Sequence, residues 1–389
     1  MKVIHLISGL RGGGAEHMIL GLCRQSLHDP YTNMKVAILA HINDITWKFQ
    51  ESGIPVIAPA RSKKRWPKTV RLTIDAFSTI RQVMKEKPDT IHAHLSYGAM
   101  AAAVIKIFRP KTRIVFTLHN ICERRPLHAT ALFLTKLLRN TDIVFPGTRP
   151  NWFQKQNAVA IANGIDLQPY ISLQPSKPAV FTCLFIGRLT EQKNPLFLIE
   201  VAKRLNQSES LSQSQSQSQS QSLSQSLSQS PRQSLSLKPS REFVIRILGD
   251  GPLEDEIRRL INIHHLEKHI QLEGYSNSIP AQLASAHCLL APSKWEGMPL
   301  AILEAGAASL PVVATPAAVP ALKTASSQLY IAETQAFPET IAAIMNDYPA
   351  ALDRAETFRE TVFNEFSIEK CYRNHLRPWA PANPDLGTK

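Results

Sequence analysis

The stretch KVIHLISGLRGGGAEHMILGLCRQ, residues 2–25, joins a run of apolar and β-branched residues to a helical pattern through a glycine-rich turn. The same alternation continues through the first half of the chain, with the strand-like runs MKVAILA, DTIHAH, RIVFTL and DIVFPG and the helical pattern GAMAAAVIKIF. Strands that alternate with helices predict a parallel sheet with helices on both faces.

The second half of the chain repeats this plan. Its strand-like runs are FTCLFIG, FVIRILG, HCLLAPS and PVVAT, and its helical patterns are NPLFLIEVAKRL, EDEIRRLINIHH and PLAILEAGAA. The length of 389 residues also exceeds one ordinary core and favours two domains of about 150 residues each. The predicted fold class is therefore α/β, with two doubly wound, Rossmann-like domains.

The domain limits follow from shifts in composition. We predict an N-terminal domain over 1–170, a C-terminal domain over 171–355, a helix over 356–378 that packs back towards the N-terminal domain, and a disordered tail over 379–389. Within the second domain, the Ser/Gln-rich residues 207–240 have almost no side chains that could offset the entropy of ordering. They predict a disordered surface insertion.

Composition excludes several classes of protein. No run of 18 or more apolar residues is present, so no membrane-spanning helix is expected. The start of the chain lacks the pattern of a secretory signal, and the expected location is the cytoplasm. The five cysteines are scattered singly, without the close pairs of a zinc or redox motif, and are expected to be reduced.

The positive charge lies in the first half of the chain. Residues 1–175 contain 24 Lys and Arg against 10 Asp and Glu, within a net charge of +13 for the whole chain. The densest patch is RSKKRWPKTVR, residues 61–71, which contains Arg61, Lys63, Lys64, Arg65, Trp66, Lys68 and Arg71. Such a patch suits an anionic lipid surface or acceptor, and the alternative is a solvated loop and helix face. Nucleic acid is not an expected partner, because no recognised binding module accompanies the charge.

Glycines and polar residues follow the predicted strands of both halves. They are Gly12 to Gly14, His94, His119, Asn120, Arg188, Lys193, Asp250, Gly251 and Glu296. Ligands of doubly wound sheets bind outside the carboxyl ends of the strands. A cleft between two such edges is therefore the expected active site.

The glycine loop GLRGGGAE does not have the G-x-G-x-x-G spacing of a dinucleotide site, because position 17 is His. A nicotinamide or flavin enzyme is therefore not expected, and no G-x-x-x-x-G-K-[ST] phosphate loop is present. The loop is either a tight turn without a ligand or a turn whose backbone amides approach a phosphate or sugar.

Three histidines follow or end predicted strands. His92 and His94 share one strand face, but no cluster of carboxylates or cysteines accompanies them, so no metal site is expected. His119 is interpreted as a hydrogen-bonding or acid/base group at a strand end. The alternative is a core histidine with satisfied hydrogen bonds.

Two cations and two carboxylates complete the candidate site. Arg188 and Lys193 precede a predicted helix and together suit a diphosphate, although ordinary surface charge remains an alternative. In WEGMPLAILEAGA, Glu304 lies inside an apolar helix, eight residues after Glu296. A buried carboxylate needs partners, and these are either sugar hydroxyls or a backbone cap or salt bridge.

These motifs in this order (GLRGGGAE, HAH, TLHN, NGID, GRLTEQKN, GDGP and EGMPLAILE) resemble the retaining glycosyltransferases of family four. The resemblance covers nearly the whole chain. It implies the GT-B fold, in which two Rossmann-like domains face each other across a cleft. It also implies metal-independent transfer of a hexose from a nucleotide-diphosphate sugar, with no cofactor. The positive N-terminal half, which carries the acceptor side in this architecture, suggests a lipid-linked or lipopolysaccharide-type acceptor, with the protein in the cytoplasm and peripheral on the inner face of the cytoplasmic membrane.

The resemblance assigns roles to individual residues. His119, Arg188, Lys193 and Glu296 would act at the reacting centre, with the two cations on the diphosphate and Glu296 on hydroxyls of the transferred sugar. The donor would be bound by Gly13, Gly14, Asn163, Gly251, Gly297, Met298, Pro299, Leu300 and Glu304, the last of these on the ribose.

The sequence departs from the family pattern at TPAAVPAL, at PGTRPNWF and in the Ser/Gln-rich insertion. None of these changes removes a candidate catalytic group. Two other functions stay open from the residues: a nucleotide-sugar epimerase, which would need more carboxylates than the N-terminal loops supply, and a non-catalytic nucleotide-sugar-binding relative.

Overall fold

The computed structural model of the protein describes residues 1–42, 44–60, 67–207 and 242–380. Of the predicted features, Arg61, Lys63, Lys64, Arg65 and Trp66 lie outside the described residues, as do the insertion from residue 208 onward and the tail from residue 381 onward.

The chain forms two compact units. Unit 1 contains Met1–Asp166, Pro320–Lys323 and the chain from Glu365 onward; unit 2 contains Leu167–Val319 and Thr324–Asn364. The first change of unit therefore falls at Asp166, four residues before the boundary that the sequence suggested. The chain enters unit 1 again twice, once through a short segment and once at its C-terminal end.

Unit 1 contains a parallel seven-stranded sheet in the order β3-β2-β1-β4-β5-β6-β7. Its strands are β1 (Lys2–Ile7), β2 (Asn33–Ile38), β3 (Val56–Ile57), β4 (Thr90–His94), β5 (Arg113–Thr117), β6 (Thr141–Val144) and β7 (Val159–Ala160). Its helices are α1 (Gly14–Ser26), α2 (Thr46–Glu51), α3 (Lys68–Glu86), α4 (Leu95–Phe108), α5 (Pro126–Leu134) and, at the C-terminal end, α13 (Ile368–Trp379).

Both faces of this sheet are buried, as continuous apolar strands predict. Along β1, Val3 and Ile7 pack on the face shared with α1 and α13, while Ile4 and Leu6 pack on the face of α4. His5 lies between Val3 and Ile7 in the sequence and is completely buried. The first sheet thus contains a polar position inside its core.

Unit 2 contains a parallel six-stranded sheet in the order β10-β9-β8-β11-β12-β13. Its strands are β8 (Phe181–Ile186), β9 (Phe243–Leu248), β10 (Ile270–Gly274), β11 (Cys288–Ala291), β12 (Val312–Ala314) and β13 (Tyr330–Ile331). Its helices are α6 (Gln168–Ile171), α7 (residues 197–207), α8 (Glu254–Ile263), α9 (Ile279–Ala284), α10 (Leu300–Ala307), α11 (Phe337–Asn346) and α12 (Tyr348–Glu365). Short 3₁₀ helices cover Lys136–Leu138, Pro316–Ala318, Pro320–Gln328 and Thr334–Ala336.

The strand orders confirm the predicted α/β class with two Rossmann-like domains. In each sheet the order reverses beside the first strand, because β1 pairs with both β2 and β4, and β8 pairs with both β9 and β11. The carboxyl ends of these strand pairs are the switch points at which ligands of such sheets bind. Within the described residues, no helix has both the length and the hydropathy needed to cross a bilayer.

The C-terminal region differs from the prediction in two ways. It forms two helices, α12 and α13, because the chain breaks at Phe366 and Ser367, where the Ser367 side chain caps α13 through the Lys370 amide. Trp379, which the sequence placed in a disordered tail, is instead fully buried in unit 1. Two hydrogen bonds hold Trp379 in this buried position. The Trp379 carbonyl accepts a hydrogen bond from Thr90 at 2.7 Å, and the Trp379 indole N–H donates to His92 at 3.2 Å.

Candidate functional site

The loop after β8 carries Lys193 and is held against the loop after β11. The Gln192 carbonyl accepts a bond from the Lys294 amide at 2.8 Å, and the Gln192 side chain donates to the Trp295 carbonyl at 3.1 Å. Asn194, which has a left-handed φ of 54°, donates its side-chain amide to the Pro292 carbonyl at 3.2 Å. These bonds between neighbouring strands fix the position from which Lys193 extends.

Lys193 and Glu296 form an ion pair at the switch point of unit 2. The Lys193 Nζ lies 2.6 Å from Glu296 Oε1, and Glu296 is only 5% exposed. The carboxylate also accepts a hydrogen bond from Ser293 Oγ at 2.8 Å and a longer one from Gln192 Nε2 at 3.4 Å. The structure therefore brings together two residues that the sequence assigned separately, to the diphosphate and to the transferred sugar.

Glu304 lies on α10 beside this pair and is partly buried. Burial raises the pKa of Glu304 to about 7, while the positive charge of Lys193 opposes part of the shift. The pKa of a carboxyl group rises in this way when nothing in its surroundings replaces the water that solvates its charge. Glu304 is therefore available for hydroxyl groups from outside the protein.

The remaining predicted residues of unit 2 lie in the loops after β8, β9 and β11 or, for Leu300, at the start of α10. Arg188 is exposed just after β8, and Gly297, Met298 and Pro299 are buried in the turn that leads to Leu300, the first residue of α10. Gly251 has a φ of +153°, and a Cβ atom there would lie 2.6 Å from the Leu189 carbonyl oxygen. Glycine is therefore required at position 251, where the loop after β9 packs against the loop after β8.

Sequence reasoning missed several supporting residues in unit 2. Gln192, Asn194 and Ser293 were not assigned, although they position the ion pair. Gly249 was also missed, and a Cβ atom there would lie 2.0 Å from the Gly187 carbonyl oxygen. The available signal was their location directly after predicted strands, the same rule that identified Arg188 and Gly251.

In unit 1 the glycine loop after β1 leads into α1. Gly12 has a φ of +84°, Gly13 caps α1, and Gly14 is its exposed first residue. A side chain at position 13 would lie 2.9 Å from the Glu16 carboxylate. The loop thus presents backbone amides at the N-terminus of a 13-residue helix. Asn163 is buried in the same unit, shortly after β7.

His119 lies after β5 in a left-handed conformation, with a φ of 66°. Burial lowers the pKa of His119 to about 3, with a smaller contribution from His375. Among non-glycine residues with positive φ, Lys87, His265 and Ser309 lie at helix ends, where this conformation is common. Leu95 and His119 instead follow the ends of β4 and β5, and Asn194 lies in the loop after β8. Such backbone strain is concentrated at functional sites.

Behind His119 lies a histidine cluster that the sequence only partly indicated. Nitrogen atoms of His5, His92 and His94 lie within 4.8 Å of one another. The two nitrogens of His92 contact Thr117 Oγ1 and the Trp379 indole, and the two nitrogens of His94 contact His5 and His119. A metal ion would have to displace these hydrogen bonds. His5 gave no signal in the sequence, because one histidine inside an apolar strand resembles any other strand residue.

Of the predicted basic surface, Lys68 is the first residue of α3 and Arg71 is exposed on the same helix.

Two family models match the chain, one in each half. Residues 12–149 match the model described as Glycosyltransferase Family 4, and residues 227–347 match the model described as Glycosyl transferases group 1. Both halves of the chain therefore match glycosyltransferase models, and the model of the first half is that of family 4. The family suggested by the sequence motifs is thereby confirmed.

Curated relatives of this chain include two bacterial glycosyltransferases. It is 27% identical over 261 residues to the UDP-Gal:alpha-D-GlcNAc-diphosphoundecaprenol alpha-1,3-galactosyltransferase of Escherichia coli, a match that covers 61% of this chain and 60% of that enzyme. The chain thus spans less than two thirds of the length of that relative. It is 22% identical over 333 residues to the amylovoran biosynthesis glycosyltransferase AmsD of Erwinia amylovora, with 80% of each chain covered.

Solved glycosyltransferase structures share the fold. Anabaena Alr3699/HepE in complex with UDP and glucose matches with a TM-score of 0.70 and 18% identity, over 97% of this chain and 98% of that chain. A glycosyltransferase from Rickettsia africae matches with a TM-score of 0.69 and 15% identity, over 97% of both chains. At such low identity the similarity establishes the fold, and individual residues have to be argued from their own geometry.

Proposed function

We propose that this protein is a retaining, metal-independent hexosyltransferase that moves a sugar from a uridine-diphosphate sugar to a lipid-linked saccharide. The observation that carries the proposal is the Lys193–Glu296 ion pair beside the Glu304 carboxyl at the switch point of unit 2. A cation for phosphate and two carboxylates for hydroxyl groups are the groups that a sugar nucleotide requires. The name of the E. coli relative, which specifies UDP-Gal and a diphosphoundecaprenol acceptor, supports the substrate classes.

In this mechanism the two cations act on the leaving group. As the bond between the anomeric carbon and the phosphate oxygen breaks, Lys193 and Arg188 stabilise the negative charge that develops on the diphosphate. The acceptor oxygen forms its bond to the anomeric carbon on the face that the phosphate leaves, and its proton passes to the departing phosphate oxygen. This order of events retains the anomeric configuration without a carboxylate nucleophile.

Glu296 and Glu304 have different environments and therefore different roles. Glu296 contacts the Lys193 ammonium group and accepts a hydrogen bond from Ser293, so its remaining lone pairs can hold hydroxyls of the transferred sugar. Glu304 would accept two hydrogen bonds from the vicinal hydroxyls of the ribose. Those bonds would favour the ionised form of Glu304 and offset the cost of its burial.

The test of this function is binding and turnover of uridine-diphosphate sugars in EDTA. We expect one donor to raise the melting temperature of the wild-type protein, and Arg188→Ala to lose that effect. The new glycosidic bond should have the anomeric configuration of the donor when it is assigned by NMR. An epimerised nucleotide sugar would support the epimerase, and a folded protein that binds a donor but never turns it over would support the non-catalytic nucleotide-sugar-binding relative. Inactivation by EDTA would refute metal independence.

The Glu304 pKa predicts how donor affinity depends on pH. Below pH 7 the carboxyl group of the free enzyme is mostly protonated and loses acceptor capacity, so the dissociation constant of a UDP-sugar should rise by up to about tenfold per pH unit. Calorimetric titrations between pH 6 and pH 8 would measure this. Glu304→Gln should bind the donor weakly and with no such pH dependence, whereas an unchanged pH profile in Glu304→Gln would exclude Glu304 from the donor site.

The surface of unit 1 suits a lipid-linked acceptor. Helix α4 contacts both α3 and α5, and these helices expose Phe77, Ile107, Phe108, Leu127 and Leu134. Residues 124–141, which include α5, contain four Lys or Arg and no Asp or Glu. Apolar side chains among cations are typical of surfaces that lie on anionic membranes. We therefore place the proposed enzyme in the cytoplasm, with this surface at the inner face of the membrane.

Membrane binding can be tested on the α5 region. Changing Leu127, Leu134 and Leu137 to Ser should weaken sedimentation with phosphatidylglycerol vesicles by about tenfold or more per leucine, because each exposed leucine would lose its transfer into the bilayer. Hydrolysis of the soluble donor should be unchanged.

The matched control for the leucines is a triple variant of unit 2. Ile171, Ile263 and Ile331 are also exposed, and their replacement by Ser should leave vesicle binding as in the wild type. Equal losses in the two triple variants would mean that apolar exposure in general, and not the α5 region, determines binding.

A further inference from the structure

Three imidazoles form a continuous hydrogen-bonded chain from the interior of the first sheet to the loop after β5. His5 Nδ1 lies 2.9 Å from His94 Nε2, and His94 Nδ1 lies 2.8 Å from His119 Nε2. His5 and His94 are completely buried on β1 and β4, the two strands at the switch point of unit 1. Only His119 lies at the edge of the sheet. The chain therefore links a core position with the loop after β5.

The three rings are neutral at pH 7. Burial, with smaller effects from neighbouring histidines, lowers the pKa of His5 and of His119 to about 3 and lowers the pKa of His94 well below its ordinary value. Each neutral imidazole carries one proton, so the chain carries three. Each of the two hydrogen bonds uses one proton. The third proton must therefore lie on one of the two end atoms, His5 Nε2 or His119 Nδ1.

Both end atoms are buried and have no hydrogen-bond partner among the described residues. They differ in their surroundings. His5 Nε2 belongs to a ring packed in the core against His92 and Trp379, whereas His119 borders a small cavity with Asn120, Phe145 and Thr148. A buried N–H without an acceptor is less tolerable than a buried lone pair without a donor. The proton is thus favoured at the His119 end, where a ligand can accept it.

His92 does not compete for this proton. Its Nδ1 accepts from the Trp379 indole at 3.2 Å, so its own proton lies on Nε2 and is donated to Thr117 Oγ1 at 2.9 Å. His375 Nδ1 donates a hydrogen bond to the Cys371 carbonyl at 2.8 Å, which fixes the orientation of that ring as well. His92 and His375 therefore do not change the number of protons shared by the three-ring chain.

We propose that His94 and His5 are positioning residues that fix His119 as the neutral tautomer with its proton on Nδ1. In this form His119 donates a hydrogen bond to the sugar nucleotide and cannot accept one through Nδ1. The inference rests on the proposed function for the identity of the ligand. The tautomer itself is a property of the free protein and can be measured without any substrate.

The decisive measurement is the nitrogen NMR spectrum of protein labelled with ¹⁵N-histidine, because protonated and unprotonated ring nitrogens resonate far apart. His119→Gln identifies the signals of His119. We expect wild-type His119 to carry its proton on Nδ1, and His94→Gln to show a mixture of the two tautomers. A proton on Nε2 of His119 in the wild type would overturn the proposal.

Kinetics separate positioning from a structural role. His94→Gln should lower kcat/KM for the donor by about tenfold, the usual effect of losing one hydrogen bond, and His5→Gln should act in the same direction. In a His119→Gln background, whose amide donates without help from the chain, His94→Gln should cause no further loss. An additive loss there, or an altered tautomer with unchanged kinetics, would refute the positioning role. Failure of the proposed function would appear separately, as absence of donor binding by the wild type.

Discussion

Replacing Lys193 by methionine is expected to reduce both the activity and the stability of the protein. Turnover should fall by about 10²- to 10³-fold, because a charge that stabilises the leaving group is lost. The free energy of unfolding should fall by about 3–5 kcal/mol, because Glu296, which is 5% exposed, would keep a buried charge without its partner. Donor kinetics and urea unfolding of the same preparation would measure the two effects.

A second substitution separates the two effects. In Lys193→Met combined with Glu296→Gln, no uncompensated charge is left at the site, so most of the lost stability should return. Turnover should stay low, because the diphosphate still lacks its cation. Recovery of turnover in the double variant would mean that the ion pair is a structural feature without a direct role in transfer.

The matched control is a neighbouring ion pair in the same two loops. Lys294 Nζ lies 3.5 Å from Glu191 Oε1, and the two side chains are 47% and 70% exposed. Pairs this exposed contribute less than about 1 kcal/mol. Lys294→Met should therefore leave stability and turnover close to wild type, and a loss equal to that of Lys193→Met would indicate a general effect of charge in these loops.

The sequence predicted the central strands of both sheets because each is a short apolar run bounded by polar residues. It missed β10, IQLEG, because that edge strand buries only Ile270 fully and alternates with exposed residues. The strands β3, β7 and β13 contain two residues each and are too short to carry a periodic pattern. Pairing in these cases is decided by neighbouring strands and not by local sequence.

The candidate site was predicted as a set of residues but not as a set of contacts. The rule that polar residues follow strands identified Lys193 and Glu296, yet spacing along the chain could not show that they touch. The same limit applies to Trp379. Nothing local distinguishes it from a mobile terminus, and its burial depends on His92 and Thr90, almost 290 residues earlier.

The buried histidines predict that unit 1 loses stability in mild acid. His5 and His375 are at most 2% exposed, and burial lowers their pKa values to about 3 and about 4. Below the ordinary histidine pKa of 6.5, the unfolded chain binds protons that the folded chain does not. The stability is therefore complete above pH 6.5 and falls as the pH is lowered towards the folded pKa values.

The expected loss is large. Each of these two histidines costs about 1.4 kcal/mol per pH unit, so at pH 5 their combined loss is about 4 kcal/mol relative to pH 7. Hydrogen exchange in β1 and β4 at the two pH values would measure it within unit 1. His375→Gln should remove the contribution of one histidine from the pH dependence of stability. His28→Gln, which changes an exposed histidine, should leave that dependence unchanged. Equal slopes in wild type and His375→Gln would mean that His375 is protonated in the folded protein. The His119 tautomer requires the same neutral cluster, because an additional proton on the three-ring chain would leave both end atoms, His5 Nε2 and His119 Nδ1, protonated.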